Sequence, residues 1–153
     1  MKRIVCILTS IFLSVSVFCS CSGRKYDAEF VARSICDDLC FGGVLYSSLS
    51  PRGEEGYLPQ DLLSQMFISE IPLGTEVALV LLSSAKVTYE VGVFYSFNTT
   101  DSLLILELAK ERLSLLESYD RDCCGSLVAR GGYIIYAFSP SANRLAEVLD
   151  GIF

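Results

Sequence analysis

The run Val77-Ala78-Leu79-Val80-Leu81-Leu82 constrains the fold of this chain more than any other feature. Six successive apolar residues have the length of a strand and leave no polar side to turn toward water, which implies a strand covered on both faces. A second strand is expected from Glu90 to Phe97, where Val91, Val93 and Tyr95 alternate with Gly92, Phe94 and Ser96. Ser83 to Thr88 between them has the length of a hairpin loop. Two more strands are expected at Ser126 to Arg130 and Tyr133 to Phe138, joined by Gly131-Gly132, a pair suited to the positive φ angles of a tight hairpin.

Helices fill the gaps. From Asp27 to Phe41, Val31, Ile35 and Leu39 recur every fourth residue with Phe30 alongside, and Gly42-Gly43 provides a stop. Val44 to Leu58 reads as a loop on its Ser, Gly and Pro content, with a short apolar turn at Val44-Leu45-Tyr46. Pro59 can open a short helix that buries Leu62, Leu63, Met66 and Phe67. Asn98 to Asp101 supplies N-cap candidates for a helix running to about Ser118, striped by Ile105, Leu108, Ala109, Arg112, Leu113 and Leu116. A last helix after Pro140-Ser141 carries Leu145, Val148 and Leu149. The expected fold is a two-layer α+β domain, a mainly antiparallel four-stranded sheet covered by helices in the order ααββαββα.

The N-terminus carries an address. Lys2 and Arg3 form a basic start, and Ile4 to Phe18 is apolar except for Thr9, Ser10, Ser14 and Ser16. That is a secretory signal pattern, shorter than the roughly 20 apolar residues of a spanning helix, with an uncleaved anchor as the alternative. Val17-Phe18-Cys19-Ser20-Cys21-Ser22-Gly23 resembles the bacterial lipobox, in which a small residue precedes a cysteine that is acylated before cleavage. The expectation is a signal peptide over residues 1–20, Cys21 as the lipidated first residue, a tether over 21–26 and one α+β domain over 27–153. At about 0.8 kcal/mol per buried methylene, two acyl chains on Cys21 would anchor the domain stably to the outer face of a cell membrane.

Removing Lys2 and Arg3 leaves 10 basic residues against 18 acidic ones, a net charge of −8. This balance disfavours nucleic acid as a partner. The chain has no histidine, which excludes Ser-His-Asp hydrolase, Cys-His protease and H-E-x-x-H metalloprotease readings.

Four cysteines follow Cys21. Cys36 and Cys40 lie one helical turn apart, and Cys123-Cys124 are adjacent near the end of the long helix. They are compatible with buried free thiols, with a disulfide suited to an exported protein, with a four-thiolate metal site, or with a redox or catalytic thiol. Neither pair has C-x-x-C spacing. Without a nearby histidine, an activated thiolate would need Lys, Arg or a helix N-terminus.

Ser83-Ser84-Ala85-Lys86 matches S-x-x-K and Ser141-Ala142-Asn143 matches S-x-N, two of three penicillin-recognising elements, but K-T-G is missing and a surface loop accounts better for Ser83. Paired acids at Asp37-Asp38, at Glu54-Glu55 and at Asp120 and Asp122 are candidates for acid/base work or calcium. Neighbouring helical residues point apart, so Asp37-Asp38 reads as a solvated face. Tyr89, Phe94, Tyr95, Phe97, Tyr133, Tyr136 and Phe138 are expected to be mostly core.

From about Glu90 onward, Glu90-Val91-Gly92-Val93-Phe94, the leucine-rich helix with Glu111-Arg112-Leu113, Tyr119 and Gly132-Tyr133-Ile134-Ile135 resemble the domain of unknown function DUF4358, found in lipoproteins of clostridia-like Gram-positive bacteria. That resemblance brings no catalytic residue and no cofactor. The functional expectation is a membrane-anchored extracytoplasmic binding or interaction module acting on an envelope protein or ligand; the alternative is a thiol-based redox or metal-binding protein using Cys36, Cys40, Cys123 and Cys124.

Overall fold

Strand register organises the domain. The computed structural model describes residues 26–40, 42–83 and 88–153. The expectations for residues 1–20, for Cys21 with the tether as far as Lys25, and for Lys86 lie outside the described residues. The elements run α1 (Ala28–Leu39), β1 (Val44–Ser47), α2 (Gln60–Met66), β2 (Glu76–Ser83), β3 (Thr88–Tyr95), α3 (Thr99–Tyr119), β4 (Cys124–Arg130), β5 (Tyr133–Ser139), a 3-10 turn (Ala142–Arg144) and α4 (Leu145–Ile152). The strands form one antiparallel sheet in the order β1-β2-β3-β5-β4.

Strand alternation sorts the apolar residues into two cores. Ala78, Val80, Val91, Val93, Ile135 and Ala137 face α1 and α4. Val77, Leu79, Phe94, Ile134, Tyr136 and Phe138 face α3 and the end of α2. Each fully buried Ile, Leu or Phe stabilises by roughly 1.5–3 kcal/mol, so neither face can be left open. This corrects the two-layer expectation. Helices cover both faces, as the uninterrupted apolar run of β2 requires.

Two further corrections concern local structure. The segment expected to be a loop with an apolar turn contains β1, which pairs Val44 with Leu81 and Ser47 with Ala78 and makes the sheet five-stranded. The element order is therefore αβαββαββα. Helix α1 ends before Gly42-Gly43, because Cys40 takes the left-handed conformation (φ 58°) and its N–H donates to the Asp37 and Cys36 carbonyls. A non-glycine residue there costs about 1–2 kcal/mol.

Much of the sequence pattern holds. Asp27 and Asn98 cap α1 and α3, accepting from the Phe30 and Thr100 N–H groups. Gly131 and Gly132 turn the β4–β5 hairpin with φ of 58° and 88°. One end of the sheet is defined by a row of cross-strand partners, Glu76 to Tyr95, Tyr95 to Tyr133 and Tyr133 to Arg130. The start of α1 reaches the same end, where the Ala28 N–H donates to Glu76 Oε2 at 3.4 Å and the Tyr133 hydroxyl donates to the Tyr26 carbonyl.

Candidate functional site

Glu90 lies near the start of β3, on the sheet face covered by α3, and is 1% exposed. A carboxylate taken out of water is tolerated only when paired and hydrogen-bonded. Arg112, from the middle of the α3 stripe, supplies the pair: its Nε donates to Glu90 Oε1 at 3.0 Å and its Nη2 to Oε2 at 2.7 Å, a two-pronged contact. The Tyr136 hydroxyl donates to the same Oε1.

Gly92 makes this arrangement possible. It is the register partner of Tyr136, and a Cβ built on it would sit 2.1 Å from Tyr136 Cε1. The ring therefore lies across the bare backbone of β3 and extends its hydroxyl to Glu90, two residues along. Burial, reinforced by the Glu90 charge, pushes the Tyr136 phenol well above its ordinary value, so it remains a donor. Burial works against the charge on Arg112, and its bonds to Glu90 outweigh that, leaving the guanidinium more basic than usual.

Arg112 also borders a groove between the end of α2 and one flank of α3. Met66, Phe67 and Ile68 form one wall, and Leu108, Glu111, Ser114, Leu115 and Ser118 the other, enclosing about 480 Å³. The rim keeps large apolar groups in water, with Ile68 85% and Leu115 44% exposed. A mainly apolar cleft with one or two converging polar groups is the usual form of a binding site. Because Glu90 already matches the Arg112 charge, the groove offers apolar contact and one polar edge rather than an anion trap. Neither Tyr136 nor Arg112 is tuned toward proton abstraction.

The four cysteines do not converge. All are free thiols. Cys123 packs on the α3 side and its thiol contacts Asp120 Oδ2, whereas Cys124, the first residue of β4, packs on the α1 side and contacts the Ser139 carbonyl at 3.3 Å. Adjacent side chains at a strand start point to opposite faces. Cys36 is buried and Cys40 exposed. Burial, with Asp37 nearby, raises the Cys36 thiol to about 12, and burial with Asp120 raises Cys123 to about 11, the reverse of an activated thiolate. Among the described residues no cluster of three metal-ligating side chains occurs.

The remaining candidates are also dispersed. Ser83 is the exposed last residue of β2, and the Ser141 hydroxyl is occupied by the Leu39 carbonyl, where it joins α1 to the segment after β5. Asp37 and Asp38 are exposed, and Asp120 accepts from the Asp122 N–H as a turn brace. Phe94, Tyr95, Tyr133, Tyr136 and Phe138 are buried as expected, while Phe97 is 83% exposed. The sequence reading missed Glu90 and the groove. An arginine inside an otherwise apolar stripe was the available signal, since its buried charge implies an acidic partner.

Among the described residues no helix is long and apolar enough to cross a membrane. The fold and site thus define an α+β domain with a preformed apolar groove. Comparison with family models, with curated proteins and with solved structures returned no match.

Proposed function

We propose that this protein is a membrane-anchored extracytoplasmic lipoprotein, lipidated at Cys21, whose domain is a non-catalytic binding module using the groove between α2 and α3. Kinship with the DUF4358 lipoproteins is part of the proposal and rests on the segments from Glu90 onward. The observation that carries the binding reading is the groove itself. Apolar side chains of Ile68 and Leu115 stay in water at its rim, while Arg112, held by the buried Glu90, supplies a polar edge. Exposed apolar groups clustered about a cleft mark interaction surfaces. The basic start, the apolar stretch and the Ser20-Cys21 junction support the anchor, and the net charge of −8 directs the search toward envelope proteins or small ligands rather than nucleic acid.

The test is site-specific photocrosslinking in intact cells, with the photoreactive residue at Leu115 and, as control, at Glu117 on another flank of α3. A discrete adduct from position 115, absent from 117 and lost on Ile68→Asp, is expected. Identical adduct patterns from the two positions would refute the groove as a binding site. Metabolic palmitate labelling, abolished by Cys21→Ala, reads the anchor separately.

A further inference from the structure

One end of the domain carries a chain of aromatic contacts that the binding reading does not use. Phe30 stacks on Tyr26 with ring centres 4.6 Å apart, Phe153 packs on Tyr26 at 6.3 Å and on Tyr133 at 5.0 Å, and Tyr95 joins Tyr133 at 4.6 Å to Phe97 at 4.8 Å. This is the end marked by the row Glu76, Tyr95, Tyr133 and Arg130. Its loops present apolar tips to water. Phe97, just after β3, is 83% exposed, and Leu73, in the turn that leads into β2, is 100% exposed.

The described chain also begins here, at Tyr26, five residues after Cys21. Five residues span at most about 18 Å. If Cys21 is lipidated, this end cannot leave the neighbourhood of the bilayer. Exposed Phe and Leu side chains gain by burying their apolar surface at the headgroup and acyl boundary of a membrane. Arg130, the basic residue of the row that marks this end, is engaged, pairing with Asp150 at 2.7 Å and lying over the Phe153 ring, while Asp27, Glu76 and Asp101 are acidic. Attraction would therefore come from apolar burial rather than from a basic patch.

We infer that this aromatic end is a membrane-contact face, with Phe97 and Leu73 seated in the interface of the bilayer that holds the lipid anchor. The inference rests on the anchor reading above. It also orients the domain, because α3 starts at this end and its 21 residues carry Tyr119 about 30 Å away.

The chain contains no tryptophan, so a single introduced one reports its own surroundings. Full chain is purified from membranes, the acylation state of Cys21 is read by intact mass, and the protein is reconstituted in neutral phosphatidylcholine vesicles with and without brominated acyl chains. Phe97→Trp and Leu73→Trp are compared with Tyr119→Trp, a site 80% exposed at the far end of α3. The expected result is blue-shifted emission and several-fold stronger bromine quenching at 97 and 73 than at 119, unchanged by salt. Equal quenching at all three positions with Cys21 acylated would overturn the face while leaving the anchor intact. A blue shift at 97 without quenching, growing with protein-to-lipid ratio, would assign the face to a second copy of the chain and overturn the inference. Unmodified Cys21 in protein that leaves the vesicles would overturn the anchor and this face with it.

Discussion

Arg112→Met isolates the energetics beneath the groove. Methionine keeps much of the apolar length of the side chain but removes both donors from Glu90, which is 1% exposed and would retain only the Tyr136 hydroxyl. Breaking a buried ion pair by removing one partner costs about 3–5 kcal/mol. Arg112→Met should therefore lose about 3–5 kcal/mol of stability, because the Glu90 carboxylate stays in the core without its partner. Urea denaturation of the protein from residue 22 onward, followed by far-ultraviolet circular dichroism at pH 7, measures this directly. Replacing Glu90 by Gln as well removes the unpaired charge, so the double variant should recover most of the loss, and the coupling between the two sites is read from the four-protein cycle. A penalty below about 1 kcal/mol, or a double variant no more stable than Arg112→Met alone, would refute the view that Arg112 holds a buried carboxylate charge.

Gly92→Ala drives a methyl group into the Tyr136 ring, which is fully buried and tied to Glu90; a loss of at least 3 kcal/mol is expected, beyond the usual overpacking range, and thermal melts measure it. In alkylation at pH 8, Cys40 should react first and Cys36 only on unfolding, as peptide mass mapping would show, because Cys36 is buried and its thiol is raised to about 12. The same shift sets a sign for stability. The folded chain keeps the Cys36 proton where the unfolded chain, titrating near 9.0, has lost it, so this contribution is complete below pH 9 and declines toward pH 12, and Cys36→Ala should flatten that alkaline decline.

The sequence exposed those elements whose pattern is local. The apolar run of β2, the Gly131-Gly132 hairpin and the stripe of α3 were legible because each is written in neighbouring residues. Strand β1 was not, since Val44-Leu45-Tyr46 is too short to show a period and becomes a strand only by pairing with β2, more than 30 residues later. Cys40 as the end of α1 escaped notice because Gly42-Gly43 is the stronger stop by type, while backbone bonds to Asp37 and Cys36 close the helix sooner. The Glu90–Arg112–Tyr136 set spans β3, α3 and β5, so its members look unremarkable one at a time: a strand-end acid, a helical arginine and a core tyrosine. The thiol alternative depended on whether two distant pairs meet at one point. Cys123 and Cys124 pack against opposite cores, so the adjacent pair does not turn toward one site, and that separation is visible only once the sheet is formed.

The Arg112–Glu90 contact also acts as a detent for α3. Sliding the helix one turn, about 5.4 Å along its axis, would carry the guanidinium off Glu90 and strand a charge in the core. A one-turn slide is therefore closed to this wall of the groove. If the groove binds as proposed, a partner would meet a wall already in place, without selecting a rare conformer displaced by that slide. Under that proposal selectivity would come from the shape of the guest, and discrimination between guests should appear in how fast they leave rather than in how fast they arrive.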